Sequence, residues 1–366
     1  MTSKSHSKWT IPGFDAPKSA PSPLARFGWR PAFANQIDPD TEADLRPARV
    51  VGVHRNGLDV VGPDLATRIP PYRADEEDDE TAATVGDWLL LDADATRAVR
   101  ALDRQSLLKR RAPGTGRQVQ LIAANVDTVF IVTSCNRDFN LARLERYLAL
   151  VRSSGVLPVV VITKADLVDD TASYVKEARA LLPNLSVEAV NALEPGVADM
   201  LRPWCGPGQT VAFMGSSGVG KSTLVNTLLG EAAVETKAAR EDDDRGRHTT
   251  TARALHRLAH GGWLLDTPGM RELQMTDVED GLDELYADIE ELSAGCRFSD
   301  CAHDQEPGCA VTAALGNGQL DAARVKRWKK LVAENRFNAM TLAERRAAEK
   351  GFGKMIREVQ SIKKKR

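Results

Sequence analysis

Gly215-Ser216-Ser217-Gly218-Val219-Gly220-Lys221-Ser222 satisfies the pattern Gly-x4-Gly-Lys-Ser without a mismatch. Glycines at this spacing let the backbone curl so that successive N–H groups face phosphate oxygens, and a helix N-terminus behind them adds positive charge. Lys221 is placed to reach the β- and γ-phosphates, and the Ser222 hydroxyl to ligate Mg2+. The nucleotide-binding residues expected here run from Gly215 through Thr223. The flanks agree with this reading: Thr210–Met214 has the texture of a buried strand and Ser222–Leu229 that of a helix. The segment reads as a nucleoside triphosphate cradle rather than a Gly/Ser turn before an ordinary helix.

A second constellation selects the base. Leu157–Ile162 is an almost unbroken β-branched run, as in a strand buried on both faces. It ends in Thr163-Lys164-Ala165-Asp166. A carboxylate there accepts paired hydrogen bonds from the ring N–H and exocyclic amine of guanine, a pair that adenine lacks, so Asp166 favours GTP. A third apolar run, Gly262–Leu265, leads into Asp266-Thr267-Pro268-Gly269. Asp266 can hold Mg2+, and the Gly269 N–H can sense the γ-phosphate. Before it lies Arg245-Gly246-Arg247-His248-Thr249-Thr250-Thr251. Thr250 is the preferred threonine for closing on Mg2+, with a register uncertainty of one residue.

The order of these parts is unusual, because the guanine-reading segment precedes the phosphate loop. In this the chain resembles a circularly permuted GTPase, and more narrowly the bacterial small ribosomal subunit-dependent (30S) biogenesis GTPase A family. The resemblance covers about residues 45–366. It also rests on Gly246-Arg247-His248-Thr249-Thr250-Thr251, on Asn125-Val126-Asp127 before a strand, and on a cysteine cluster. Two positions depart from the pattern. The usual Asn of the guanine motif is Thr163, an exchange that could loosen the hold on the phosphate loop, and the usual Ser-Ala is replaced by Asn191-Ala192. The position after the Asp-x-x-Gly turn, where many GTPases carry a water-orienting Gln, is Met270. The resemblance implies that His248 serves there, with Lys221 and Thr250 completing the catalytic set; a loop histidine without chemistry is the alternative.

Of five cysteines, three fall with one histidine in Cys296-x4-Cys301-x-His303-x5-Cys309. A Cys3His set suits one closed, structural tetrahedral Zn2+ per chain. Cys135 and Cys205 read as small buried hydrophobes. No signal peptide is visible, which argues for a reducing cytoplasm.

These sites must be held by several folded units. A chain of 366 residues with 42% hydrophobic content supports two or three cores. No apolar run approaches a bilayer span, so no membrane partner is expected. A formal net charge of -2 gives no global attraction to RNA. The expected architecture is multi-domain. A flexible Pro/Ser/Ala-rich extension (1–44) precedes short strands with an Asn56-Gly57 turn signal (45–112), for which the resemblance implies an N-terminal OB-type β-barrel. A central α/β circularly permuted P-loop GTPase domain follows (113–278), then a C-terminal α-helical zinc-binding module (279–342) and a basic tail (343–366). Arg324, Lys326, Arg327, Lys329 and Lys330 surround Trp328, and residues 344–366 hold nine Lys/Arg against three Glu, a pairing that favours RNA. The functional expectation is a monomeric, cytoplasmic GTP hydrolase using Mg2+ and binding GTP and GDP. The resemblance implies stimulation by the 30S subunit and its rRNA late in assembly, with release on hydrolysis. A GTP-gated rRNA-binding placeholder with incidental hydrolysis and a P-loop ATPase are the alternatives.

Overall fold

Alternating apolar positions either side of a tight turn are what an antiparallel pair requires. Strands β1 (Arg46–His54) and β2 (Gly57–Gly62) meet this need, reversing at Arg55-Asn56 with His54 opposite Gly57. The structure, a computed structural model, describes residues 22–111, 119–230, 253–266 and 278–339. Strand β2 continues to β3 (Leu65–Ile69); β4 (Trp88–Leu91) pairs with the first half of β1, and β5 (Ala98–Ala101) pairs with β4. These strands curl around a core of their own, built from Ala48, Val50, Leu58, Val60, Ile69, Leu89 and Leu91. A register shift between Val50 and Gly52 bends β1, as a bulge does, and frees its second half for a different neighbour. A hairpin of β6 (Leu107–Arg111) and β7 (Val119–Ala124) leads onward.

The uninterrupted apolar runs form a parallel sheet. Strands β8 (Thr128–Ser134), β9 (Leu157–Thr163), β10 (Ser186–Ala189) and β11 (Thr210–Gly215) are joined by β12 (Arg253–Arg257) and β13 (Trp263–Asp266) in the order β10-β9-β8-β11-β13-β12. Only β12 runs antiparallel there, against β13. The chain lays down one side of this sheet first and then crosses to β11, so the β8–β11 boundary is a topological switch point, where open α/β sheets leave a crevice for ligands. Beyond β12 the sheet does not stop. Gly52 and Val53 of β1 pair with Ala254 and Arg253, making one continuous sheet across the boundary expected near residue 112.

One expectation is overturned. Residues 22–44 are not a flexible extension: Phe27 and Phe33 are buried, and Phe27 stacks on Trp263 while Trp29 meets Trp88 edge-on at 4.7 Å. Burial of these rings offsets the cost of ordering a segment with little secondary structure. Arg49, itself fully buried, locks the joint by donating to the Phe27 carbonyl at 2.7 Å, the Asn125 carbonyl and the Thr210 hydroxyl. Burial depresses the Arg49 pKa to about 10, with the Asp127 charge opposing the shift, so the side chain stays charged at neutral pH. Residues 1–21 and the tail 343–366 lie outside the described residues.

Four helices close the C-terminal end: Glu279–Leu285, Ala287–Ala294, Ala310–Gly316 and Ala322–Ala339. They dock on the helix Leu141–Ser153 that follows β8, whose Leu144, Leu148 and Val151 face the core as the spacing predicts. Among the described residues, no helix is long and apolar enough to cross a membrane.

Candidate nucleotide site and metal cluster

The phosphate loop leaves the C-terminal end of β11 at the switch point and enters the helix Lys221–Leu229. Its glycines are needed at two places in particular. Gly215 has φ +147° and no room for a side chain, since a Cβ would stand 2.2 Å from the Val132 carbonyl oxygen of β8. Gly220 has φ +91°, where L side chains are strained, and turns the chain into the helix. Ser216, Ser217 and Gly218 form the rim, and Val219 is buried beneath it. Lys221 folds back over the loop, its ammonium donating to the carbonyls of Gly215, at 2.8 Å, and Ser216. Ser222 and Thr223 open the helix.

The segment Thr163–Asp166, expected to read guanine, stands beside this loop. Thr163 ends β9 fully buried, and its hydroxyl lies 2.6 Å from the Val219 carbonyl and 3.1 Å from that of Thr133. The concern that Thr in place of Asn loosens the phosphate loop is therefore not met: the shorter side chain still reaches the loop from the neighbouring strand. Lys164 adopts a left-handed φ of 59°, which turns the chain so that Ala165 and Asp166 start a 3-10 turn. Asp166 is exposed and has no hydrogen bond or ion pair among the described residues. The Ala165 N–H donates to the Val190 carbonyl, tying this turn to the Asn191-Ala192 segment after β10. Asn191 accepts from the Leu193 N–H, and the Ala192 carbonyl lies 3.3 Å from the Thr227 hydroxyl of the loop's helix. Three segments far apart in sequence are thus tied together at the C-terminal ends of β9, β10 and β11.

The sites on the other side are only partly described. Asp266 ends β13, one strand from the loop, which is where an Mg2+-holding carboxylate would stand; its side chain, Gly269, Met270, His248 and Thr250 lie outside the described residues.

Two features escaped the sequence reading. Arg143, three residues after the N-cap Asn140, donates to the Ser216 hydroxyl of the phosphate loop. The signal available was an arginine without an acidic neighbour in a first turn. Asn125-Val126-Asp127 proves to be a joint. Asn125 has φ 55° and bonds to Gln105 and Gly86 of the preceding region, while Asp127 accepts from the Thr210 N–H at 2.7 Å, pinning β8 to β11.

The Cys3His residues do come together. The ligand atoms of Cys296, Cys301, His303 and Cys309 lie within 4.8 Å of one another. Cys296 Sγ is 3.5 Å from His303 Nδ1 and 3.9 Å from Cys309 Sγ, and Cys309 Sγ is 3.6 Å from the same nitrogen. A tetrahedral ion with bonds of about 2.3 Å to sulfur and 2.0 Å to nitrogen has edges of about 3.5–3.8 Å, so the residues fit such a guest. Cys309 caps the helix Ala310–Gly316 and accepts from the Thr312 N–H at 3.3 Å. Burial raises its pKa, but bonding to Thr312 and His303 outweighs this and holds the thiol at about 6, toward the thiolate that a metal needs. Trp328 packs on the His303 ring, and Lys329 holds the His303 carbonyl at 2.7 Å.

Much of the basic stripe on the last helix has partners within the protein. Arg324 pairs with Asp288, Arg327 with Glu145 and Lys329 with Asp304, and Trp328 is buried with its N–H on Glu290. These groups are engaged internally, and only Lys326 and Lys330 of the set are exposed. Cys135 and Cys205 are buried as expected, and burial pushes the Cys205 thiol up to about 11.

Comparisons with known proteins agree with this geometry. The description of the RsgA GTPase family matches residues 101–276. The small ribosomal subunit biogenesis GTPase RsgA 2 of Vibrio parahaemolyticus is 50% identical over 348 residues, covering 95% of this chain and 96% of that protein. The crystal structure of YjeQ from Thermotoga maritima superposes with a TM-score of 0.57 at 26% identity, over 79% of this chain and 98% of that one. YloQ, described as a circularly permuted GTPase, shares the fold with a TM-score of 0.58 at 23% identity, over 82% of this chain and 98% of that one. A base-reading strand that precedes the phosphate loop, in a chain matched almost end to end at half its positions, has one reading: this protein has the circularly permuted GTPase fold and belongs to the RsgA GTPase family.

Proposed function

We propose that this protein is a GTP hydrolase stimulated by the small ribosomal subunit, acting late in 30S assembly and leaving on hydrolysis. The observation that carries the nucleotide half is the juxtaposition of the exposed Asp166 carboxylate and the phosphate loop, joined through Thr163 and Val219. The ribosomal half is supported by a relative at 50% identity named as a small ribosomal subunit biogenesis GTPase. In this reading Asp166 reads guanine, with Thr163, Lys164, Ala165, Asn191 and Ala192 shaping its pocket. Gly215 to Thr223 cradle the phosphates. Lys221 leaves its two carbonyls for the β- and γ-phosphates. Mg2+ would be held by Ser222, Asp266 and Thr250, and would neutralise charge between the outer phosphates. Gly269 would sense the γ-phosphate, and His248 would orient the water.

The Cys3His guest is taken as structural Zn2+, since its four protein ligands leave no open position. Strands β1 to β5 are taken as an OB-type barrel that docks on rRNA, with the zinc module and the tail from 343 as further rRNA contacts. The protein is taken as a cytoplasmic monomer.

The test is GTP hydrolysis by the purified protein with and without 30S subunits, against ATP and 50S controls. Stimulation by 30S alone, confined to GTP, supports the whole reading. An Asp166→Asn variant should lose preference for GTP, whereas retention of that preference would point to a P-loop ATPase-like site. His248→Ala should remove the stimulation and leave GTP affinity near normal; loss of affinity instead would make His248 structural.

A further inference from the structure

We propose that Arg143 is a positioning residue of the phosphate loop, one that favours a nucleoside triphosphate over the diphosphate; this rests on the GTP-hydrolase reading above. The guanidinium of Arg143 donates to the hydroxyl of Ser216, the residue that follows Gly215 at the mouth of the loop. Lys221 approaches the same two residues through their carbonyls. Two cations therefore converge on residues 215 and 216, from a helix and from the loop itself.

Arg143 is unusual in two physical respects. It sits in the first turn of the helix Leu141–Ser153, where the positive end of the helix dipole disfavours a cation, and that turn carries no acidic residue to offset it. Among the described residues it also has no ion pair, while the helix's other arginines have theirs: Arg146 with Glu334 and Arg152 with Glu284. An arginine held by an N-cap, its own N–H donating to Asn140 Oδ1 at 3.0 Å, costs stability where it stands and has no acidic partner among the described residues. A polyanion in the loop is the partner that its position anticipates. The helical end of the loop supplies the N–H groups that cradle the inner phosphates, which leaves the Ser216 end nearest the outermost one. A triphosphate carries more charge there than a diphosphate, so the added cation favours the triphosphate.

The same helix faces the C-terminal module with its following turn. Glu145, buried, accepts from Arg327 at 2.6 Å, and Arg146 and Arg152 pair with Glu334 and Glu284. The loop contact and the module contacts thus share one rigid element.

The experiment measures GTP and GDP affinity, with Mg2+, for the full chain and for Arg143→Ala, Arg143→Lys, Ser216→Ala and the Arg143→Ala/Ser216→Ala double variant. Thermal unfolding confirms that each is folded. Arg143→Ala should weaken GTP about tenfold and GDP by less than about threefold, the scale of one hydrogen bond to a charged group. Lysine should restore most of the difference. The double variant should be no worse than Arg143→Ala, because both changes remove one contact. Equal loss for the two nucleotides, no loss at all, or additive effects in the double variant would overturn the proposal. Failure of the unaltered protein to bind GTP would instead sink the hydrolase reading on which it rests.

Discussion

The phosphate loop and the cysteine–histidine cluster are both short segments bent by left-handed backbone around the space for a charged guest, yet they are braced in opposite ways. The loop leans on distant strands and helices: Val132 beneath Gly215, Thr163 against Val219, and Arg143 on Ser216. The cluster draws its ligands from Cys296 to Cys309 and bends at His303, with φ 57°. Little hydrophobic burial lies under that stretch; residues 297–300 and 304–305 are exposed. The difference predicts that the nucleotide site, braced by the sheet, would hold its shape before a guest arrives, whereas the cluster would need a metal to hold its own.

Removing the metal should have the largest effect. Structural zinc is worth on the order of 10 kcal/mol to a small site at neutral pH. Chelation, or Cys301→Ser, should therefore unravel the Cys296–Cys309 segment in hydrogen exchange while nucleotide binding persists. If GTP binding vanished with the metal, the two regions would not be separately braced and the comparison would fail.

Breaking the joint between the regions comes next. Arg327→Met strands the Glu145 carboxylate, which is 1% exposed, and loss of one partner of a buried pair costs about 3–5 kcal/mol. Chemical denaturation would measure it. A replacement tolerated to within about 1 kcal/mol would mean that water reaches Glu145, as at a surface pair.

The smallest effect sharpens the comparison most. Thr163→Val keeps the shape of the side chain but leaves the Val219 carbonyl without its hydroxyl partner. That loss of about 1–3 kcal/mol should appear in nucleotide affinity more than in unfolding, because the loop alone slackens. Calorimetry against GDP and a thermal melt separate the two. A large drop in melting temperature with unchanged affinity would place Thr163 in the strand's stability and not in the loop.

Much of the site was legible because its parts are local. A Gly-x4-Gly-Lys-Ser run between an apolar strand and a helix, or a Cys3His spacing, carries its chemistry in neighbouring residues. What escaped has a common cause. The segment from Leu24 to Phe33 has no periodicity; its signal was only Phe27, Trp29 and Phe33 among polar and proline residues, and their burial depends on Trp88 and Trp263 far along the chain. The sequence could not show how much of the basic stripe around Trp328 is paired, because charges count as unpaired until their partners are known. Glu145, Asp288 and Asp304 neutralise Arg327, Arg324 and Lys329 from other elements.

By itself, then, the sequence pointed to the kinds of guest proposed above: a phosphate chain at the glycine-rich loop, guanine at Asp166, and a soft metal at three cysteines and a histidine. It did so because donor type and short spacing are written in the order of residues. Only the tertiary structure decided which groups would be spent on the fold and which left over for a guest. It brought Thr163 to the phosphate loop, ran β1 into β12 across an expected domain boundary, buried Arg49 as a joint, and left Arg143, alone among its helix's arginines, without a carboxylate partner among the described residues. The physical reason is that pairing and desolvation depend on distance in space, and folding sets that distance independently of separation along the chain.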